Sequence, residues 1–308
     1  MIIYFDSEKS YLCQRPELKI IKILFMQKEG SRKRRGTDTA GPADPRQNRR
    51  RKSPAKGNVG RTPTRVKTQG EGVRLNKYIA GTGLCSRREA DELIRTGLIT
   101  INGKVTTTLG VKVTPSDVVK YNGKKLKEEK KIYILLNKPK DYISTTDDPF
   151  AKKKVTDLVQ NACRERLYPV GRLDRMTTGV LLLTNDGDLA TKLTHPKYNR
   201  KKIYHVFLHK NVKKTDLDRI TEGIELEDGK VFADAVSFVD PDDRKQIGIE
   251  IHSGKNRVIR RIFEHLGYRI VKLDRVYFAG LTKKGLSRGS WRFLKEKEIT
   301  MLKTGKFR

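Results

Sequence analysis

Tyr168-Pro169-Val170-Gly171-Arg172-Leu173-Asp174-Arg175-Met176-Thr177-Thr178-Gly179 runs directly into Val180-Leu181-Leu182-Leu183-Thr184-Asn185-Asp186-Gly187. The apolar run after Gly179 ends at an Asn-Asp-Gly turn signal, which predicts a short buried strand between turns. Ahead of it, Asp174 stands between Arg172 and Arg175 in a loop with glycines on both sides. Positive charge nearby lowers an aspartate's pKa and holds it ionised. Such a carboxylate is a candidate nucleophile or base, and the arginines would draw in a phosphodiester. The same four-residue string also describes an ordinary surface ion pair, so the decision falls to the rest of the chain.

The 308 residues suffice for two domains, and 68 Lys and Arg against 36 Asp and Glu give a formal net charge of +32. That imbalance points to a polyanion, either nucleic acid or an anionic membrane surface. No apolar run approaches the ~18 residues of a membrane span; the longest candidate, Leu18 to Met26, is broken by Lys19 and Lys22. Nucleic acid is the better reading. Cys13, Cys85 and Cys163 are dispersed, and His195, His205, His209, His252 and His265 do not cluster, so no metal site is expected. The odd, scattered thiols fit a reducing cytoplasm. Neither a P-loop nor a GxGxxG fingerprint occurs, and no cofactor is expected.

Residues 1–26 lack the cleavage site and uninterrupted apolar core of a signal peptide; one reading is that translation begins at Met26. From Gln27 to Gly72 there are 14 Lys or Arg, four acids, four Pro and seven Gly, and no Leu, Ile, Phe, Trp or Tyr. Such a segment buries too little surface to offset its ordering entropy, so 1–72 is expected to be a disordered basic extension attracting phosphates diffusely.

Residues 73–131 read as a small folded module. Leu75, Tyr78, Ile79 and Leu84 suggest a first helix. Ser86-Arg87-Arg88-Glu89 fits a capping box for a second, with Ala90, Leu93 and Ile94 as its apolar face and Gly97 as its stop. Two strands, Leu98–Ile101 and Val118–Tyr121, each meet an Asn-Gly hairpin signal.

A second domain, 132–308, opens with the buried-strand pattern Ile132 to Leu136 and Asn137-Lys138-Pro139. Helices are expected at Asp186–Leu193, Thr215–Gly223 and Lys255–Leu266. The last carries the stripe Val258, Ile259, Ile262, Phe263 and Leu266, with Arg257, Arg260 and Arg261 off it. Strands are expected at Tyr204–Leu208, about 231–239, 247–252 and within Tyr268–Leu281, with Trp291 in the core. This order, without regular βαβ alternation, implies an α+β fold around a mostly antiparallel mixed sheet.

Gly171-Arg172-Leu173-Asp174, Thr178-Gly179, Leu182 to Gly187, His195-Pro196 and Lys202-Ile203-Tyr204-His205-Val206 together resemble the signature of the RsuA-like ribosomal RNA pseudouridine synthases. The order of helix, Ser-Arg-Arg-Glu-Ala helix and strand into Ile101-Asn102-Gly103-Lys104 resembles the S4 RNA-binding domain. The two resemblances cover about Val73 to Phe293. They imply Asp174 as the catalytic aspartate, Tyr204 as the ring that stacks on the uracil, and Arg260 as the aspartate's basic partner. Arg172 would fill the vacated base stack, and Leu273 would pack near the base. Arg74, Lys77, Arg87, Arg88, Arg95 and Lys104 would give phosphate contacts, which set affinity and register. Val258 stands where the family commonly has Gln. Lys272-Leu273-Asp274-Arg275 echoes the Asp174 string, but only Asp174 has the Gly-Arg-Leu-Asp…Thr-Gly context.

The resemblance implies that the chain isomerises a uridine in ribosomal RNA, with a lean toward the large-subunit 23S molecule or its assembly intermediate. It would work as a cytoplasmic monomer, without a membrane. The alternative is a catalytically inactive RNA-binding ribosome-assembly factor that keeps the fold.

Overall fold

The computed structural model describes residues 72–145 and 153–307. The basic extension and the Met26 start therefore lie outside the described residues, Gly72 excepted.

The first module runs β1 (Val73–Arg74), α1 (Leu75–Gly81), α2 (Arg87–Arg95), β2 (Ile99–Ile101), β3 (Lys104–Val105), β4 (Lys112–Val113), β5 (Val119–Tyr121) and β6 (Lys124–Lys125). The capping box at α2 forms on both sides: the Glu89 amide donates to Ser86 Oγ and the Ser86 amide to Glu89 Oε2. Both Asn-Gly pairs take positive φ at both positions, Asn102 at 53° with Gly103 at 84° and Asn122 at 46° with Gly123 at 76°. These tight turns fold β2 onto β3 and β5 onto β6 in a four-stranded sheet ordered β3-β2-β5-β6. Leu75, Ile79, Ala90, Ile94, Ile99, Val113 and Val119 close the core. Leu84 does not join the first helix: α1 stops at Gly81, and Leu84 is exposed.

The second module contains β7 (Tyr133–Lys138), β8 (Tyr168–Pro169), β9 (Thr178–Thr184), α3 (Gly187–Thr194), β10 (Lys202–Leu208), α4 (Lys214–Glu222), β11 (Ala235–Phe238) and β12 (Gln246–Ile251). It ends with α5 (Val258–His265), β13 (Ile270–Phe278), β14 (Leu281–Thr282), β15 (Trp291–Phe293) and α6 (Glu296–Thr304). The sheet has the order β11-β12-β10-β13-β9-β7-β15, with β8 on β9 and β14 on β13. Among the described strands only the β9–β13 pair is parallel, so the sheet is mixed and mostly antiparallel, as expected.

Alternation divides the central strands between two cores. Ile134, Leu136, Leu181 and Leu183 face one side with α5 residues Val258, Ile259, Ile262 and Phe263. Tyr133, Leu135, Val180 and Leu182 face the other, under Leu189 and Leu193 of α3 and Leu302 of α6. Burial on both faces explains why β7 and β9 read as continuous apolar runs rather than alternating ones.

Three further expectations are corrected. The strand expected from 231 begins at Ala235, because Val231 bridges Ile224 across the turn Glu227-Asp228-Gly229. The helix expected from Lys255 begins at Val258, because Arg257 takes left-handed φ (46°) and Lys255 donates to the Asp228 and Gly229 carbonyls. Trp291 is half-buried on edge strand β15, edge-to-face with Phe293 at 5.5 Å, and packs against the margin of the larger core rather than within it. No described helix is long and apolar enough to cross a membrane.

Candidate active site

The loop between β8 and β9 carries Asp174, and its shape follows from what holds it underneath. Lys138 ends β7 fully buried, and its ammonium donates to the carbonyls of Asp174 (3.1 Å), Arg175 (3.1 Å), Thr177 (2.8 Å) and Pro139 (3.1 Å). Burial lowers its pKa to about 8 against the opposing pull of Asp174 and Asp141. Ser144, also buried, accepts from the Leu173 amide (3.2 Å) and donates to the Leu173 carbonyl (3.1 Å). On the far side Gly179 (φ 107°) lets β9 approach β13 so closely that a Cβ would collide with Arg275 backbone atoms and Asp274 Oδ1. Clamped from three directions, the loop presents the Asp174 carboxylate at the rim of a hollow of about 510 Å³, within the usual size range for a ligand site.

The opposite wall is α5. Arg260 projects from it and donates through Nε to Asp174 Oδ2 at 3.3 Å, with its Nη2 3.5 Å from Thr177 Oγ1. The Arg260 side chain is 15 % exposed and that of Asp174 42 %, so the cation is held while the carboxylate stays open. Tyr204 of β10 and Leu273 of β13 line the same hollow and are 8 % and 5 % exposed. The register pairs Tyr204 with Arg275 and Val206 with Leu273, which puts these side chains on one face of the sheet. The hollow thus brings Asp174, Arg260, Tyr204 and Leu273 together, with Arg172 exposed on its lining. Arg175 does not flank the carboxylate: it turns away to Asp141 at 3.2 Å. The aspartate's cationic partner comes instead from 86 residues downstream.

Charge on the lining is one-sided. Arg172, Arg175, Lys202, Lys255, Arg257, Arg260 and Arg275 contribute seven cations, and among the described residues Asp174 is the one carboxylate. Lys202 is held by the carbonyls of His252 (2.9 Å) and Ser253 (3.1 Å). Burial, with Arg275 beside it, lowers its pKa to about 8. A concave surface of this sign concentrates a polyanion.

The first module's basic residues separate into two groups. Arg74, Arg87, Arg88 and Lys104 are exposed. Lys77 is engaged across the module boundary with Asp188 at 2.5 Å, and Arg95 with Glu92 at 2.7 Å on its own helix. Arg166–Glu89 (3.4 Å) is a second contact between modules. Asp186 caps α3 by accepting from the Leu189 amide, the helix-start role its Asp-Gly-Asp setting suggested.

Lys138, Ser144, Lys202 and Arg275 were not singled out from the sequence. The available signals were a lysine closing a buried strand, and the repeated Leu-Asp-Arg string that contains Arg275.

Comparison with known proteins gives this geometry its context. Residues 132–265 match the family described as RNA pseudouridylate synthase, and residues 73–119 match the S4 domain. Ribosomal large subunit pseudouridine synthase B of Bacillus subtilis (strain 168) is 44 % identical over 75 % of this chain and 95 % of its own. The dual-specificity RNA pseudouridine synthase RluF of Escherichia coli (strain K12) is 37 % identical over 74 % of this chain and 77 % of its own. A crystal structure of a pseudouridylate synthase superposes with a TM-score of 0.54 at 28 % identity, covering 75 % of this chain and 99 % of that one. The chain therefore belongs to the RNA pseudouridine synthases, isomerases here built from an S4 module and a mixed-sheet synthase module.

Proposed function

We propose that the chain converts a uridine of large-subunit ribosomal RNA to pseudouridine, with Asp174 as the group that engages the sugar. The observation that carries the reading is the open Asp174 carboxylate, 3.3 Å from Arg260, on a hollow otherwise lined with cations.

A uridine inside a stack keeps its C1′ out of reach, so the target nucleotide turns out of the RNA at a cost of a few kcal/mol. Exposed Arg172 would take the vacated space, and Arg74, Arg87, Arg88 and Lys104 would hold flanking phosphates. The uracil lies on the Tyr204 ring, a contact of about 1–3 kcal/mol, with Leu273 behind it. Asp174 faces C1′, and Arg260 fixes the carboxylate's direction. The C1′–N1 bond breaks with its electron pair on the ring. The ring turns, C5 bonds to C1′, the C5 proton leaves and N1 gains one, so the product is an isomer and no oxidant or energy source is consumed.

The large-subunit assignment draws on the B. subtilis relative, whose name specifies that subunit. Asp174→Asn tests the chemistry: tritium release from 5-tritiated uridine RNA is expected to vanish while RNA affinity changes little. Release persisting in the variant would overturn the role of Asp174, and no release by the wild type would favour a binding-only assembly factor. Pseudouridine mapping in ribosomal RNA from a deletion strain tests the target, since a missing modification in the small subunit alone would redirect it.

A further inference from the structure

Arg275 is 2 % exposed on the lining of the hollow, and its charge is incompletely matched. Nε donates to the Val180 carbonyl at 2.8 Å, and the guanidinium lies over the Phe278 ring at 4.6 Å. Its Nη2 is enclosed and has no hydrogen-bond acceptor among the described residues. The neighbouring Asp274 offers no relief, because its carboxylate is occupied by Lys283, Arg288 and Thr178. The nearby charges are adverse: half-buried Lys202 and buried Lys138 each feel Arg275 as a like charge that pushes their pKa down. A buried cation without a carboxylate partner is costly unless a counter-charge arrives with a ligand.

We propose that Arg275 is the counter-charge for the uracil ring while that ring is detached and anionic. The inference rests on the base lying on Tyr204. Tyr204 and Arg275 are directly paired across β10 and β13, so their side chains are neighbours on one face. A ring stacked on Tyr204 therefore brings an edge oxygen toward the guanidinium. When C1′–N1 breaks, the bonding pair remains on the ring and spreads over N1 and the carbonyl oxygens. When C5 bonds to C1′, that charge is discharged by loss of the C5 proton and protonation of N1. Arg275 thus meets a charge present only between the two bonds, where a fixed donor lowers the barrier most. A backbone phosphate is the poorer fit: the guanidinium lies deep in the hollow beside Tyr204, whereas Arg172 and Arg257 stand exposed at the opening, where the RNA backbone would pass.

The probe is 5-nitrouracil, an anion at neutral pH, compared with uracil for binding to the full chain. The wild type is expected to bind 5-nitrouracil at least about tenfold more tightly. Arg275→Gln is expected to lose that preference, and Arg275→Lys to keep most of it. In single-turnover tritium release, Arg275→Gln should slow the chemical step on the order of 10²-fold, with RNA affinity unchanged. Equal affinity for the two bases in active wild type, or a preference undiminished in Arg275→Gln, overturns the proposal. Inorganic phosphate binding to wild type at the 5-nitrouracil site, lost in Arg275→Gln, also overturns it by assigning the site to the RNA backbone. Should Arg275→Gln fail to fold, the wild-type comparison and Arg275→Lys decide, the latter refuting the idea if it folds and binds both bases alike. A wild type inactive on RNA would instead count against the reading of the base site on which this rests.

Discussion

Replacing Lys138 by Met removes the ammonium beneath the Asp174 loop while keeping a side chain of similar length. Three of its four carbonyl acceptors, those of Asp174, Arg175 and Thr177, belong to that loop. Each buried acceptor left unpaired costs about 1–3 kcal/mol, so the three together would lose about 3–9 kcal/mol before any relaxation. Part is recovered, since the variant no longer desolvates a charge. The fall in pKa from 10.5 to about 8 corresponds to about 3 kcal/mol against the ammonium. The net loss is on the order of 3 kcal/mol, or about 6–12 °C in the melting of a module this size. The loop should also relax outward, and a displacement of about 1 Å at a reacting group costs about 10²-fold in rate. Calorimetry paired with single-turnover tritium release reads both effects. The sign of the pH dependence gives an independent check. Between pH 8 and 10.5 the unfolded chain holds this lysine's proton and the folded chain does not. Wild-type stability should therefore rise with pH across that window relative to the variant. A Lys138→Met protein with wild-type melting and turnover would refute the clamp.

Arg260→Met should lower turnover on the order of 10²-fold yet change stability by less than about 1 kcal/mol, because the partner carboxylate is 42 % exposed and screened. A fall of several degrees in melting with unchanged turnover would make the residue structural. Gly179→Ala should cost more than about 4 kcal/mol, since the atoms its Cβ meets on Arg275 are backbone; a soluble variant with near wild-type melting would show that β9 and β13 can separate. His205 is 2 % exposed, and burial lowers its pKa to about 4. Its Nε2 donates to Gln246 Oε1 at 3.0 Å, because the Gln246 amide nitrogen is committed to Asp243. As pH falls from 6.5 to 4 the unfolded chain takes up this proton first, so up to about 3 kcal/mol of stability is lost. Urea titrations at pH 7 and 4.5 should show His205→Gln losing less than wild type over that interval.

The parts legible in the sequence are those whose causes are local. Ser86 and Glu89 satisfy each other's backbone across three residues, and Asn102-Gly103 and Asn122-Gly123 carry their turn geometry in two. The apolar stripe of α5 was equally readable, but its start was not. Arg257 takes the left-handed conformation just ahead of it, and Lys255 is held on the 228–229 turn by a contact 26 residues away. Lys138 shows the same limit more sharply. As the last residue of a buried strand it reads as the chain emerging into water. Only the carbonyls of a loop 36 to 39 residues later explain why it stays inside.

The repeated Leu-Asp-Arg string shows what spacing leaves open. In the first copy Asp174 sits in a loop, its carboxylate 42 % exposed, and Arg175 swings out to Asp141. In the second, Asp274 lies in β13 at 14 % exposure with Lys283 and Arg288, while alternation along the strand sends Arg275 to the opposite face. One tripeptide thus supplies an open carboxylate with its arginine outside, and then a neutralised carboxylate with its arginine inside. Gly179 brings the two copies together, because the parallel pairing of Thr178 and Gly179 with Asp274 and Arg275 needs a residue without a side chain there. The hollow therefore takes its acid from one copy and its deepest unpaired cation from the other. That division of charge follows from where the backbone places each copy, and it suits the reaction we propose, in which the site meets both a sugar carbon and a departing anionic base.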